Sequence, residues 1–225
     1  MTEPDVTLTD FALALGGAYL GFALWRNSTS FGALKGWLML YFASVAVASL
    51  CGGLVHGFFL EQGNLGQEIL WPTTLLAIGI SALATGAMGC VLLFSPQATR
   101  LAIGLMLLAV AIYSVAVLSG VHKFRIAIAI TLPAALLLLA ALAIVYARDR
   151  RPGAILAAIG IVLTLAAAMA QQLGLGAHPL YFNHNATAHV VQAFALGFFF
   201  IGGIRLCKQI DKSVVVGGNE DAISA

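Results

Sequence analysis

The chain has 225 residues, of which 61% are hydrophobic and only 9% charged, and its formal net charge is +2. A soluble domain carries about 25% charged residues, so this composition excludes an ordinary soluble globule and points to a membrane-embedded chain. The small positive balance falls in the breaks between apolar runs and speaks to topology, not to nucleic acid.

A membrane-crossing helix needs about 20 mostly apolar residues. Seven such runs follow one another at residues 8–25, 36–59, 69–94, 101–120, 126–147, 153–173 and 185–206. Acids at Glu3, Asp5 and Asp10 and the lack of a basic start make the first run a retained helix, not a secretory signal. Polar breaks separate the runs, at residues 27–30, 62–64, 95–97, 148–152 and 174–183. Pro133 lies inside the fifth run and predicts a kink. The three cysteines, Cys51, Cys90 and Cys207, lack ligand spacing and are expected to be buried small residues. The predicted fold is therefore all-α: a polytopic seven-transmembrane-helix bundle in one domain, 1–212, with a disordered tail at 213–225. Short connections make the bundle compact, and no internal repeat suggests an inverted-repeat transporter.

Lys and Arg counts orient the chain. With the N-terminus outside, the inner side holds Arg26, Lys35, Arg100, Arg148, Arg150, Arg151, Arg205, Lys208 and Lys212, which is nine of the 11, and the outer side only Lys123 and Arg125. The expected topology is N-outside, C-inside, in a bacterial inner membrane. All five histidines then fall at the outer face: His56 near the end of helix 2, His122, His178 and His184 in or beside loops, and His189 near the start of helix 7.

Ionisable groups at membrane depth are costly and mark functional sites by default. Asn185, His189 and Gln192 follow i, i+4, i+7 spacing and share one face of helix 7, with Asn183 or Asn185 as its N-cap. On a continuous helix His184 and His189 would lie about 140° apart, at roughly 100° per residue. On helix 2, Ser49 and His56 share a face, and Gly52 and Gly53 between them permit close approach of another helix. Glu68 precedes helix 3, which opens near Trp71-Pro72, and helix 6 ends in Gln171-Gln172. Imidazole is a preferred zinc ligand, and three histidines with a water form an open catalytic arrangement.

This pattern resembles the ceramidase-like superfamily of seven-helix membrane hydrolases, which includes alkaline ceramidases and the progestin/adiponectin receptors. His56 is similar to its helix 2 histidine and His189 to the second histidine of its helix 7. Asn185 stands where that family has the first histidine of His-x-x-x-His, with His184 one residue earlier; Gly52 stands at its serine position, with Ser49 nearest; and Glu68 replaces its aspartate. The resemblance implies zinc-dependent hydrolysis of a lipid amide or ester drawn from the membrane, with His56, His184 and His189 as metal ligands. Glu68 would orient or deprotonate water, Ser49 would hold the oxyanion, and Asn185 and Gln192 would support the ligands or, for Asn185, replace His184.

Three other classes stay open from the residues alone: a haem- or metal-binding protein with His56 and His189 as axial ligands, a solute transporter or sensor, and a structural protein with a polar plug. Asp10, at the mouth of helix 1, is the one acid within the runs, which argues against a proton pump. No lysine lies within a run, which argues against a retinal protein.

Overall fold

The computed structural model describes residues 1–26, 32–61, 63–178 and 181–223, with side chains described through Ile210. The predicted break at 27–30, and Gln62 in the next, lie outside these residues. Seven helices follow in order: α1 Pro4–Arg26, α2 Ala33–Phe58, α3 Leu65–Leu93, α4 Pro96–Leu118, α5 Phe124–Asp149, α6 Pro152–Gln172 and α7 His184–Ile223. No strand occurs among the described residues, and all seven helices are long and apolar enough to cross a membrane.

The helices are longer than their apolar runs because capping residues extend them into the polar breaks. Pro4 opens α1 and Pro152 opens α6, where proline's missing N–H costs nothing. Asn64 accepts from Gly66 N at 2.8 Å and starts α3 well before the Trp71-Pro72 position expected from sequence, so Pro72 lies inside the helix. Ser95 caps α4 in the same way. The α7 backbone stays helical to Ile223, beyond the point where sequence suggested a tail. Pro133 is contained within a continuous α5.

Packing follows a ring. α1 lies between α2 and α7, α2 continues to α3, α3 to α5, α5 to α6, and α6 closes onto α7. α4 stands outside this ring, against α3. Tyr113 docks it, with its ring over Gly79 and its hydroxyl donating to the Leu75 carbonyl at 2.7 Å. Large side chains such as Leu101, Leu105 and Ile112 cover the outer face of α4. The three cysteines are free and buried, as expected. Lys35 corrects a sequence expectation: α2 begins at Ala33, so this lysine is within the helix and only 3% exposed, though at the end remote from the histidines.

The α6–α7 contact is backbone against backbone. A Cβ on Gly160 would sit 2.7 Å from Phe199 N and 2.8 Å from Ala195 O, and one on Gly153 would sit 2.7 Å from Leu206 N. Without a hydrophobic drive between helices in lipid, such close approach is a main source of packing energy. Gly160→Val should therefore destabilise the bundle by about 1–3 kcal/mol or more, as overpacking does. Gly104→Ala, on α4 with nothing within 4 Å of its added Cβ, should be neutral or mildly stabilising. Thermal unfolding in detergent would compare the two; equal melting points would refute the close-packed α6–α7 seam.

Candidate functional site

The site begins with the chain's first residues. The last turn of any helix leaves carbonyls without partners. At the end of α2, Thr2 N donates to Gly57 O at 3.1 Å and Glu3 N to His56 O at 3.2 Å. That cap lays α1 against α2, and glycines make room for it. A Cβ on Gly53 would meet Phe11, one on Gly57 would meet Thr7, and Gly52 faces the Asp10 carboxylate, whose Oδ2 lies 3.4 Å from where its Cβ would be. The sequence reading of Gly52 and Gly53 as a helix-approach surface holds, and the approaching helix is α1.

From this position α1 supplies the acids. Glu3 Oε2 lies 2.5 Å from His56 Nδ1. Asp5 Oδ2 accepts from Asn183 N at 3.0 Å and so ties α1 to the start of α7. Asp10 is 4% exposed, and its Oδ1 lies 3.5 Å from His189 Nε2. Thr9 Oγ1 lies 3.1 Å from His189 Nδ1. Thr9 hydroxyl hydrogen is already directed to the carbonyls of Asp5 and Val6, at 2.9 and 3.0 Å. Its oxygen therefore accepts from His189 Nδ1–H, which turns Nε2 toward Asp10 and the bundle interior.

Between the six ring helices lies a cavity of about 250 Å³. At its outer end it is lined by Asp10, Ser49, Gly52, His56, His189 and Gln192, and deeper in by apolar residues such as Leu13, Ile78, Ala82, Ala135 and Ile161. No α4 residue is among those lining it. Ser49 and His56 thus share a face as their spacing predicts, and His189 and Gln192 join them. Gln192 Nε2 also donates to Thr164 Oγ1 at 3.2 Å.

Three sequence candidates are placed elsewhere. Asn183 is the N-cap of α7, its Oδ1 accepting from Asn185 N at 2.8 Å and Ala186 N at 3.1 Å. The helix therefore starts at His184 without distortion, and His184 does not line the cavity. Asn185 turns to α6, accepting from Gln171 Nε2 at 3.0 Å. Glu68 sits in the first turn of α3, one turn outward of Trp71, in a separate outer hollow with Gln67 and His122. Trp71 is the wall between that hollow and the cavity. Its indole N–H donates to His122 O at 2.9 Å, and its ring stands edge-on to His56.

Among the described residues, no three His, Cys, Asp or Glu side chains converge closely enough to hold a metal ion. The expected zinc set of His56, His184 and His189 is thus not assembled, because the Asn183 cap fixes His184 away from the cavity.

Asp10, Glu3, Asp5 and Thr9 are the members that sequence reading did not place in the site. Pro4 with acids at Glu3 and Asp5 was the available signal, since proline and acids mark a first turn. With the helix starting there, Asp10 is nearly two turns deep instead of at its mouth.

Removing one member of a buried polar pair leaves the other unsatisfied and costs about 1–3 kcal/mol or more, while replacing both with apolar groups of similar shape is often neutral. His189→Leu should therefore destabilise the protein strongly, and the double variant Asp10→Leu with His189→Leu should regain most of the loss. Glu3→Gln, at a more exposed pair, should cost less than about 1 kcal/mol. A double-mutant cycle of unfolding in detergent would check this, and simple additivity of the two leucine substitutions would rule out coupling.

A family model described as a family of unknown function, DUF6962, matches residues 6–208, and the chain belongs to that family. No curated protein and no solved structure gives a significant match.

Proposed function

For this member of DUF6962, we propose an integral membrane protein that binds an amphiphilic small molecule from the lipid phase within the six-helix cavity. Its head group would sit by Asp10, His56 and His189, and its apolar part would extend toward Ala135 and Ile161. The carrying observation is the cavity: one end gathers Asp10, His56 and His189, and the deeper wall is largely apolar with scattered hydroxyl groups. The membrane setting is supported by the seven apolar helices and by outward-facing Leu15, Leu101 and Phe194, each more than 60% exposed. Such a surface suits hydrocarbon and is a liability in water. The Lys and Arg bias supports N-outside, C-inside, with the cavity mouth facing outward.

A second reading, zinc-dependent hydrolysis of a lipid amide or ester, is favoured by one observation. Both cavity imidazoles are anchored through Nδ1, by Glu3 and Thr9, as metal-bound histidines are by their supporting groups. His189 Nε2 and Asp10 Oδ1, 3.5 Å apart, are also near the roughly 3.3 Å separation of two ligands on one zinc with bonds of about 2.0–2.1 Å. In this reading Asp10, not His184, would be the third ligand beside His56 and His189, and it requires a rearrangement of the groups as they stand.

Two measurements test these readings. Mass spectrometry of gently purified protein should find a co-purified amphiphile that Ala82→Trp, which fills the cavity, displaces; its retention in that variant would remove the cavity from the proposal. Metal analysis of the same sample should find clearly less than one zinc per chain. A stoichiometric zinc lost in both His56→Ala and His189→Ala would replace the first reading with the second. A C-terminal fluorescent-protein fusion should fluoresce, since that end is expected inside.

A further inference from the structure

Five of the hydroxyl groups around the cavity have already spent their hydrogens. Thr74 donates to Leu70 O at 3.0 Å, Ser81 to Ile78 O at 2.8 Å and Thr85 to Ser81 O at 2.7 Å on α3. Thr131 donates to Ala127 O at 2.8 Å on α5, and Thr164 to Gly160 O at 3.1 Å on α6. A hydroxyl has one hydrogen and two lone pairs. Each of these five can therefore offer a ligand only its acceptor oxygen. At Thr164 such acceptance is visible, where Gln192 Nε2 uses it.

The charged lining has the same sign of preference. Asp10 is in the wall, and no Lys or Arg lines the cavity among the described residues. Glu3 and Asp5 stand above it on the first turn of α1, and Glu68 stands in the outer hollow beyond Trp71. The two histidines each face a carboxylate: His56 that of Glu3 and His189 that of Asp10. A carboxylate or phosphate head would meet the lone pairs of these five oxygens and of Asp10, and no fixed cation. A head that carries only donors would find acceptors on α1, α3, α5 and α6. The aromatic faces of Trp71 and Phe124, which also line the cavity, would favour a cation further.

We propose that the cavity selects an amphiphile with an ammonium head group over one with a carboxylate or phosphate. The inference rests on the binding reading above and deepens it by naming the ligand's head-group chemistry. Asp10 would receive the charge, and the Thr74 hydroxyl oxygen, one turn in from Trp71 on α3, would accept a further hydrogen.

The test uses the full chain in phosphatidylcholine nanodiscs and four ligands of equal tail length: dodecylamine, dodecanol, dodecanoate and dodecyl phosphate. Empty nanodiscs and the Ala82→Trp variant correct for partition into lipid. Dodecylamine should bind at least about tenfold tighter than dodecanoate or dodecyl phosphate, a difference of about 1.4 kcal/mol. Asp10→Asn should shrink that preference to less than about threefold while leaving dodecanol little changed. If Asp10→Asn fails to fold, Thr74→Val serves instead, since valine keeps the shape and removes the acceptor. That variant should weaken dodecylamine and spare dodecanoate. Tighter binding of dodecanoate or dodecyl phosphate, or an amine preference that survives these substitutions, would overturn the inference while leaving amphiphile binding intact. Failure of all four ligands to bind would instead remove the binding reading, and the inference with it.

Discussion

Three small residues at the outer end of α2 let α1 lie against its backbone, and the geometry of the site follows from that contact. With side chains at Gly53 and Gly57, the ring of Phe11 and the methyl of Thr7 would have no place, and at Gly52 the Asp10 carboxylate lies against the backbone. With hydrogen there, α1 comes close enough for Thr2 and Glu3 to cap the final carbonyls of α2. Those carbonyls have no partner within α2, so the cap supplies the hydrogen bonds that the helix end leaves open. The same docking places Glu3 at His56 and carries Asp5, Thr9 and Asp10 to the start of α7. A backbone requirement at one helix end thus fixes where two histidines find their partners.

Ring closure explains why a cavity exists at all. Six helices around a common axis leave more central space than their side chains fill, and many of the residues facing it are small, among them Ala48, Ala82, Ala127, Ala135, Ala167, Ala168 and Ala188. Where the ring must be tight, at α6 and α7, glycine brings backbones together. α4 is displaced outward because Tyr113 and Met106 need room against Gly79 and Gly86 of α3, and α3 pairs directly with α5 inside it. The cavity is therefore walled by packed helices, and Asp10, only 4% exposed, sits in a low-dielectric setting in which its partner matters.

Much of this was legible in the sequence. Apolar run length gave the number and order of helices because each must span a similar thickness. Periodicity gave the shared faces of Ser49 with His56 and His189 with Gln192, since those depend only on helix geometry within one element. Gly52 and Gly53 announced a neighbour without naming it. Relations between elements were not legible. The sequence places Glu68 twelve residues after His56 and suggests proximity, but α3 starts early at the Asn64 cap and carries Glu68 one turn outward of Trp71. His184 and Asn185 are adjacent to the right helix, yet the Asn183 cap turns one away from the cavity and Gln171 holds the other. Asp10 was visible as a residue but not as a depth, because hydropathy places the start of a helix at its apolar run and not at its first capped turn.

The source of the acid differs from what the sequence resemblance leads one to expect. In the ceramidase-like pattern the carboxylate comes from the start of helix 3; here the carboxylate beside the cavity histidine comes from α1. An acid on α3 would approach His56 from the side of the outer hollow, where Trp71 stands. An acid on α1 approaches His189 from within the ring, beside Gly52 and out of water. Buried there, Asp10 has His189 for a partner and an open cavity beside it, a combination that invites a ligand able to satisfy the oxygen lone pairs His189 leaves free. The chemistry of that ligand is constrained by what the wall cannot supply, which is a hydroxyl hydrogen from Thr74, Ser81, Thr85, Thr131 or Thr164. Residues that helix geometry obliges to bond their own backbone thereby set which head groups the interior can accept.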